Sequence, residues 1–122
     1  IYDFSKHKPV HGECGGYMVM GKNIIGSDKK NYSMAGIFNL TTSFEKRKLN
    51  LGYRVATVQD PFFGFKTRDI LLGHEFHYTS ILEKKDPSIV TVEDAYGNDL
   101  GLLGSRRDCA TGTFFHLIGS FE

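Results

Sequence analysis

The pentapeptide Gly12-Glu13-Cys14-Gly15-Gly16 constrains the fold of this chain more than any other stretch. It has the pattern G-x-C-x-G, the cysteine form of a nucleophile elbow, which is a sharp strand-to-helix turn that presents a reactive side chain. The glycines on either side of the cysteine suit such a turn, because a Cβ at Gly12 or Gly16 is expected to clash. The pattern therefore predicts an elbow at Cys14, with an ordinary tight turn as the alternative.

The residues around the pentapeptide fit a strand and a helix. Residues 9–11 supply the end of a short strand, and a helix is predicted from residue 15 to about residue 22, with Gly21 as its stop. A cysteine at a helix N-terminus lies at the positive end of the helix dipole, which favours the thiolate. We therefore expect Cys14 to be an activated thiol.

Beyond the elbow, the chain is predicted to form mostly successive strands. The predicted strands are residues 35–42, 49–59, 70–79, 89–93, 100–103 and 111–118, and the predicted loops and turns are residues 23–33, 43–48, 62–65, 83–87, 96–99 and 106–108. Because strand follows strand, antiparallel pairing is expected. The predicted fold class is α/β, strand-rich, with a mixed sheet and few helices. The length of 122 residues, 40% of them hydrophobic, suits a single domain over residues 1–122.

Charge and composition exclude several classes of function. The net charge of +1, without a basic face, argues against a nucleic-acid partner. The absence of a long apolar run and of a signal peptide predicts a cytoplasmic protein without a membrane partner. Cys14 and Cys109 are expected to be reduced thiols, although one disulfide stays open as an alternative. The five histidines show no diagnostic ligand spacing, so no metal site is predicted.

A cysteine nucleophile needs a base, and the favoured candidate is His116 on the last predicted strand. The last strand of a parallel core commonly neighbours the elbow strand, although a histidine among apolar residues is often an ordinary core residue. Glu75 and His77 alternate onto one face of their predicted strand. They are expected to share a polar pocket or an ion pair, with a solvent-facing pair as the alternative.

Four motifs appear in a characteristic order: GECGGYMVMG at residues 12–21, LGYR at 51–54, GHEFHYT at 73–79 and GTFFHLIGS at 112–120. Together they resemble the glutamine amidotransferase domain of the cobyrinic acid a,c-diamide synthases. Cobyric acid synthase and the nickel-sirohydrochlorin a,c-diamide synthase are relatives with the same architecture. The resemblance covers nearly the whole chain and implies the C-terminal part of a class I (triad-type) glutamine amidotransferase domain with a flavodoxin-like fold.

This resemblance implies glutaminase chemistry. Cys14 matches the nucleophile that attacks the glutamine side-chain amide, and His116 matches the general base and acid. The backbone N–H of Gly15 would be an oxyanion donor, and a glutamyl thioester would be the intermediate. The released ammonia would pass to a synthetase domain that uses ATP and magnesium to amidate a corrinoid carboxylate in cobalamin biosynthesis. No G-x-x-x-x-G-K-S/T phosphate loop occurs here, so this chain is expected to hold no cofactor and to lack that domain.

The chain also departs from the triad pattern. Ile118 stands two residues after His116, where many triad glutaminases have a glutamate, so the third triad member has no candidate there; Glu75 is an alternative support for the histidine. The second oxyanion donor is expected upstream of Ile1, so this chain alone is expected to be weak or inactive. An exposed sheet edge would favour a homo-oligomer.

Two other functions stay open. A non-catalytic docking or regulatory module of the same fold could use the aromatic residues 62–65 to contact a partner. An unrelated cysteine hydrolase with a Cys14–His116 dyad is the weaker alternative, because the order of the motifs argues against it.

Overall fold

The structure of this chain, a computed structural model, describes residues 2–45 and 50–121. Two short helices and twelve strands lie in these ranges. In chain order they are α1 (Tyr2–Ser5), β1 (Val10–Glu13), α2 (Gly15–Val19), β2 (Asn23–Ile25), β3 (Asn31–Ser33), β4 (Leu40–Ser43), β5 (Asn50–Val58), β6 (Ile70–His77), β7 (Ser80–Lys84), β8 (Val90–Asp94), β9 (Asp99–Leu103), β10 (Ser105–Arg107), β11 (Ala110–Thr113) and β12 (His116–Phe121). No helix in the described ranges is long and apolar enough to cross a membrane.

The strands form three sheets. Their strand orders are β1-β11-β10, β12-β6-β5-β8-β9 and β3-β2-β4-β7. The pairs β1–β11 and β2–β4 are parallel, and the other pairs of described strands are antiparallel. The predicted fold class is confirmed, because the described part of the molecule is strand-rich, two of its three sheets are mixed and its helices are few.

Two clusters of buried apolar side chains form the core. The first consists of Ala56, Val58, Phe62, Leu71, Ile89, Val90, Val92 and Phe115. The second consists of Tyr17, Met20, Ile37, Phe38, Leu40, Ala110 and Phe114. The consecutive residues Phe114 and Phe115 belong to different clusters, so the bend between β11 and β12 joins the two halves of the core.

Several strands lie in segments that were predicted as loops or turns. Residues 23–33 contain the hairpin of β2 and β3, and residues 106–108 overlap β10. The start of β7 was not predicted, and its end lies in the predicted turn at 83–87. These short strands are defined by their pairing in the sheets, because β2 pairs with both β3 and β4, and β10 pairs with β11, the next strand of the chain. Part of the predicted turn at 43–48, and the first residue of the predicted strand 49–59, lie outside the described residues.

The predicted strand at residues 35–42 begins only at Leu40. The residues before it cover the end of α2, because the N–H of Ala35 donates to Val19 and the N–H of Phe38 donates to Met20. The chain here satisfies backbone carbonyls at the C-terminus of the helix, which otherwise lack partners. The predicted strand was therefore correct only for its last three residues, 40–42.

The predicted strand at residues 111–118 is two strands in different sheets. β11 pairs with the elbow strand β1, as expected for a strand next to an elbow, whereas β12 pairs with β6. Gly73 of β6 allows this arrangement, because a Cβ there would lie 2.3 Å from a ring carbon of Phe115. His116 therefore begins an edge strand of the five-stranded sheet, next to the end of the elbow strand.

Candidate active site

Cys14 has the backbone conformation of a nucleophile elbow. It lies between β1 and α2 with φ 53° and ψ −110°, a conformation that stores about 1–3 kcal/mol in a non-glycine residue. Its N–H donates to the carbonyl of Thr113 at 2.8 Å, and its carbonyl accepts from the N–H of Met18 at 3.1 Å. The predicted strand–turn–helix is confirmed, although α2 ends at Val19, about one turn earlier than predicted.

Only one of the two glycines in the G-x-C-x-G pattern is sterically required. A Cβ at Gly12 would lie 2.5 Å from the sulfur of Met20 and 2.9 Å from the backbone carbon of Gly16. A Cβ at Gly16 would meet nothing within 4 Å. The predicted clash is confirmed at Gly12 and wrong at Gly16, because a Cβ at Gly16 would point into open space.

The environment of Cys14 favours the thiol rather than the thiolate. Burial raises the pKa of the Cys14 thiol, and the carboxylate of Glu75 raises it further, while the N–H of Gly15 acts in the opposite direction. The prediction of a thiolate stabilised by the helix is therefore wrong. The helix has only five residues, and the hydrogen bond from the N–H of Gly15 at its start does not offset the effect of burial on the pKa of Cys14. A nucleophilic Cys14 consequently depends on a base to remove its proton.

His116 and Cys14 both contact the C-terminal half of β6. Sγ of Cys14 lies 3.9 Å from the carbonyl oxygen of Phe76, and His116 pairs with His74, two residues earlier on the same strand. The side chain of His116 is 52% exposed, so it is not a core residue. Among the described residues, no hydrogen bond joins the ring of His116 to the sulfur of Cys14.

Glu13 connects the elbow strand to the strand of His116, a contact that sequence reasoning missed. Its Oε2 accepts a hydrogen bond from the N–H of Leu117 at 3.0 Å, and its Oε1 lies 4.0 Å from Nδ1 of His116. Glu75, the alternative support predicted for His116, is engaged elsewhere. The sequence offered one indication of this contact, which is that Glu13 directly precedes Cys14. The partners of Glu13, however, depend on the bend between β11 and β12.

Glu75 and His77 form the expected pair, and the pair is buried. Oε2 of Glu75 lies 3.0 Å from Nε2 of His77, and Oε1 lies 3.4 Å from Nε of Arg54. Nδ1 of His77 lies 3.1 Å from the hydroxyl of Thr79, and the ring stacks on Phe114 at 4.2 Å between centroids. The predicted polar pocket is confirmed, and the solvent-facing alternative is wrong.

The Glu75 carboxylate keeps its charge in this setting. Burial raises the pKa of Glu75, but the hydrogen bond from His77 and the charge of Arg54 outweigh it, so the pKa lies below its ordinary value. A negative charge therefore persists near Cys14 at neutral pH, which is why Glu75 opposes ionisation of the thiol.

A cavity of about 350 Å³ lies beside this pair. Its lining includes Arg54, Glu75, His77 and the consecutive residues Thr113 and Phe114, but not Cys14. The cavity therefore borders the nucleophile rather than containing it. In the described part of the chain both cysteines are free, and no cluster of three or more histidine, cysteine or acidic residues could hold a metal ion.

Comparison with known proteins gives a consistent result. The family model for the CobB/CobQ-like glutamine amidotransferase domain matches residues 2–121. Hydrogenobyrinate a,c-diamide synthase of Rhodobacter capsulatus is 47% identical over 115 residues, covering 94% of this chain and 26% of that protein. The protein of the same name in Agrobacterium fabrum is 44% identical over 120 residues, which cover 97% of this chain and 27% of that protein. The one in Rhizobium meliloti is 48% identical over 115 residues, which cover 93% of this chain and 26% of that protein.

The chain spans about a quarter of the length of these curated relatives. The family match, in contrast, covers nearly every residue of the chain, and the strand-rich fold around a cysteine elbow agrees with it. This chain belongs to the CobB/CobQ-like glutamine amidotransferase domain family.

Proposed function

We propose that this chain is the glutaminase part of an ATP-dependent corrinoid a,c-diamide synthase in cobalamin biosynthesis. The observation that carries the proposal is the strained backbone of Cys14, with φ 53° and ψ −110° between a strand and a helix. Such strain is maintained where a nucleophile must project from the turn. The names of the relatives supply the corrinoid substrate class.

The proposed reaction has two steps. Sγ of Cys14 attacks the side-chain amide carbon of glutamine while His116 takes the thiol proton. The oxyanion accepts a hydrogen bond from the N–H of Gly15, and the proton on His116 passes to the departing ammonia. Water then attacks the glutamyl thioester with His116 as base, and glutamate and the free thiol of Cys14 are released.

His116 suits the role of base better than His77. Both ring nitrogens of His77 have partners, Glu75 and Thr79, in a buried setting. In the described part of the chain, His116 faces Glu13 with Nδ1 alone, and Nε2 has no hydrogen bond or ion pair. An exposed ring with a free nitrogen can take a proton from the thiol, and the raised pKa of Cys14 makes such a base necessary.

In this proposal the ammonia serves a separate synthetase domain. There ATP and magnesium activate a carboxylate of the corrinoid, and ammonia forms the amide. None of the residues of this chain is assigned to ATP or magnesium. The chain's own partners are then glutamine and the synthetase domain.

The test uses the full-length synthase with either glutamine or ammonium as the nitrogen donor. Cys14→Ala and His116→Gln are expected to abolish amidation from glutamine and to leave amidation from ammonium intact. Cys109→Ser, which changes the other thiol, is the matched control and should keep both activities. Glutamine-dependent amidation at the wild-type rate in Cys14→Ala would contradict the proposal.

That contrary result would favour the second candidate, a non-catalytic docking or regulatory module. Two observations speak for it: the raised pKa of Cys14 and the absence of a Cys14–His116 hydrogen bond among the described residues. The aromatic segment offers it less support, because Phe62 is buried in the core and Phe65 packs against it, which leaves Phe63 as the exposed ring.

A further inference from the structure

We propose that Glu13 is a positioning residue for His116 and completes a Cys14–His116–Glu13 arrangement in which the carboxylate comes from the residue before the nucleophile. The inference rests on the proposed function, since it assumes that His116 is the base. Glu13 would supply the carboxylate that is missing at Ile118, two residues after the histidine.

The carboxylate of Glu13 is anchored toward β12. The N–H of Leu117 donates to its Oε2 at 3.0 Å, which fixes one oxygen at the outer edge of the strand. The other oxygen then lies 4.0 Å from Nδ1 of His116. Because Glu13 and Cys14 are consecutive, one short segment of backbone sets the positions of both the nucleophile and the group that faces the base.

A carboxylate in this position has a defined effect on an imidazole. It favours the tautomer with the proton on Nδ1, which leaves Nε2 to accept the thiol proton, and it stabilises the imidazolium that then forms. The separation of 4.0 Å is that of an ion pair rather than a hydrogen bond. Such contacts are often long in ligand-free sites and shorten when substrate binds.

The other charged groups nearby do not replace Glu13. Nε2 of His11 lies 3.6 Å from Oε2 of Glu13, but burial lowers the pKa of His11 despite the raising effect of the Glu13 carboxylate. His11 is therefore mostly neutral at pH 7 and leaves the carboxylate charge uncompensated. Glu75, the carboxylate near Cys14 in β6, is held by Arg54 and His77.

Three variants distinguish the positioning of the His116 ring by the Glu13 charge from the anchoring of Glu13 to the N–H of Leu117. Glu13→Gln keeps an oxygen that accepts from the N–H of Leu117 but removes the negative charge that faces His116. Glu13→Asp keeps the charge on a shorter side chain. Glu83→Gln is the matched control, because it makes the same chemical change on β7, where Glu83 lies near Lys85.

The first measurement is the ¹⁵N NMR spectrum of the histidine rings in this chain, with the His116 signals assigned by their loss in His116→Gln. The wild type and Glu83→Gln are expected to carry the neutral-ring proton of His116 on Nδ1. Glu13→Gln is expected to shift the population toward the Nε2–H tautomer. An unchanged tautomer in Glu13→Gln would overturn the inference.

The second measurement uses the full-length synthase and follows the rate at which 6-diazo-5-oxo-norleucine, a glutamine-mimicking electrophile, modifies Cys14 between pH 6 and 9. Because a positioned base contributes about 10²–10⁴-fold, Glu13→Gln should slow the reaction about tenfold or more, and Glu13→Asp should recover part of the rate. In a His116→Gln background, Glu13→Gln should have no further effect.

The two proposals fail in different ways. Modification of Cys14 that proceeds at the wild-type rate and with the wild-type pH profile in Glu13→Gln would overturn the role of Glu13 alone. An absence of any Cys14-dependent modification in the wild type would count against the glutaminase itself, and the tautomer of His116 would then still decide whether Glu13 positions the ring.

Discussion

At the residue scale, Cys14 combines a strained backbone with a thiol that its surroundings keep protonated. The strain was predictable because the short pattern around Cys14 is characteristic of a turn with a positive φ. The protonation of the Cys14 thiol was not predictable, because it depends on burial and on Glu75, which is 61 positions away in sequence. The contact of Glu13 with His116 escaped prediction for the same reason: it exists only once β12 has paired with β6.

The pH dependence of Cys14 alkylation tests this description of the thiol. In a Cys109→Ser background, the midpoint of the reaction with iodoacetamide should lie at a higher pH than for an ordinary cysteine, because a raised pKa delays thiolate formation. Glu75→Gln should lower the midpoint, since it removes a nearby negative charge, whereas Glu83→Gln should not. A wild-type midpoint below that of an ordinary thiol would contradict the description.

At the element scale, the position of α2 depends on the fit of one aromatic ring against β11. Tyr17 is buried, donates or accepts a hydrogen bond with the hydroxyl of Ser105 at 2.5 Å, and packs edge-on against Phe38 and Phe114. A Cβ at Gly112 would lie 2.3 Å from a ring carbon of Tyr17. The absence of a side chain at Gly112 therefore lets the helix lie close to the sheet and holds the elbow in place.

Gly112→Ala should consequently destabilise the fold. We expect a loss of about 1–3 kcal/mol in the free energy of unfolding, the range for overpacked cores, measured by urea denaturation. Gly16→Ala is the matched control, because its Cβ meets nothing within 4 Å and the residue lies in a helix; it should be neutral or stabilising by about 0.5–1 kcal/mol. Equal losses in both variants would contradict this account of the packing.

At the scale of the whole molecule, the sequence was sufficient to predict the fold class but not to predict how the strands are divided among the sheets. The alternating segment at residues 49–59 and the strand-like segment at residues 70–79 predicted strands that the structure contains as β5 and β6. Short strands such as β2, β3 and β10 lie in segments with turn-like sequences, and their pairing in the folded sheets makes them strands. The division of residues 111–118 between two sheets follows from the packing of Phe115 on Gly73, which no local pattern reveals.

The stability of the molecule should fall in acid because two groups, the partly buried His11 and the buried Glu75, resist protonation in the folded state. Burial lowers the pKa of His11 from its ordinary 6.5, so below that pH the unfolded chain binds a proton that the folded chain excludes. Glu75, whose pKa lies below its ordinary 4.5, adds a second loss as the pH falls through its folded value. Urea denaturation should show a decline that begins near pH 6.5 and is shallower in His11→Gln. A stability that rises as the pH falls from 7 to 5 would contradict this assignment.

The most direct test of the central claim is the mass of the full-length synthase proposed to contain this chain, after incubation with 6-diazo-5-oxo-norleucine. We predict one adduct in the wild type and in Cys109→Ser and none in Cys14→Ala, because the elbow presents Cys14 to a glutamine-like electrophile. Circular dichroism on the same samples would show that each chain is folded. A folded wild type that forms no adduct, or an adduct that survives Cys14→Ala, would contradict the claim that Cys14 is the nucleophile of a glutamine site.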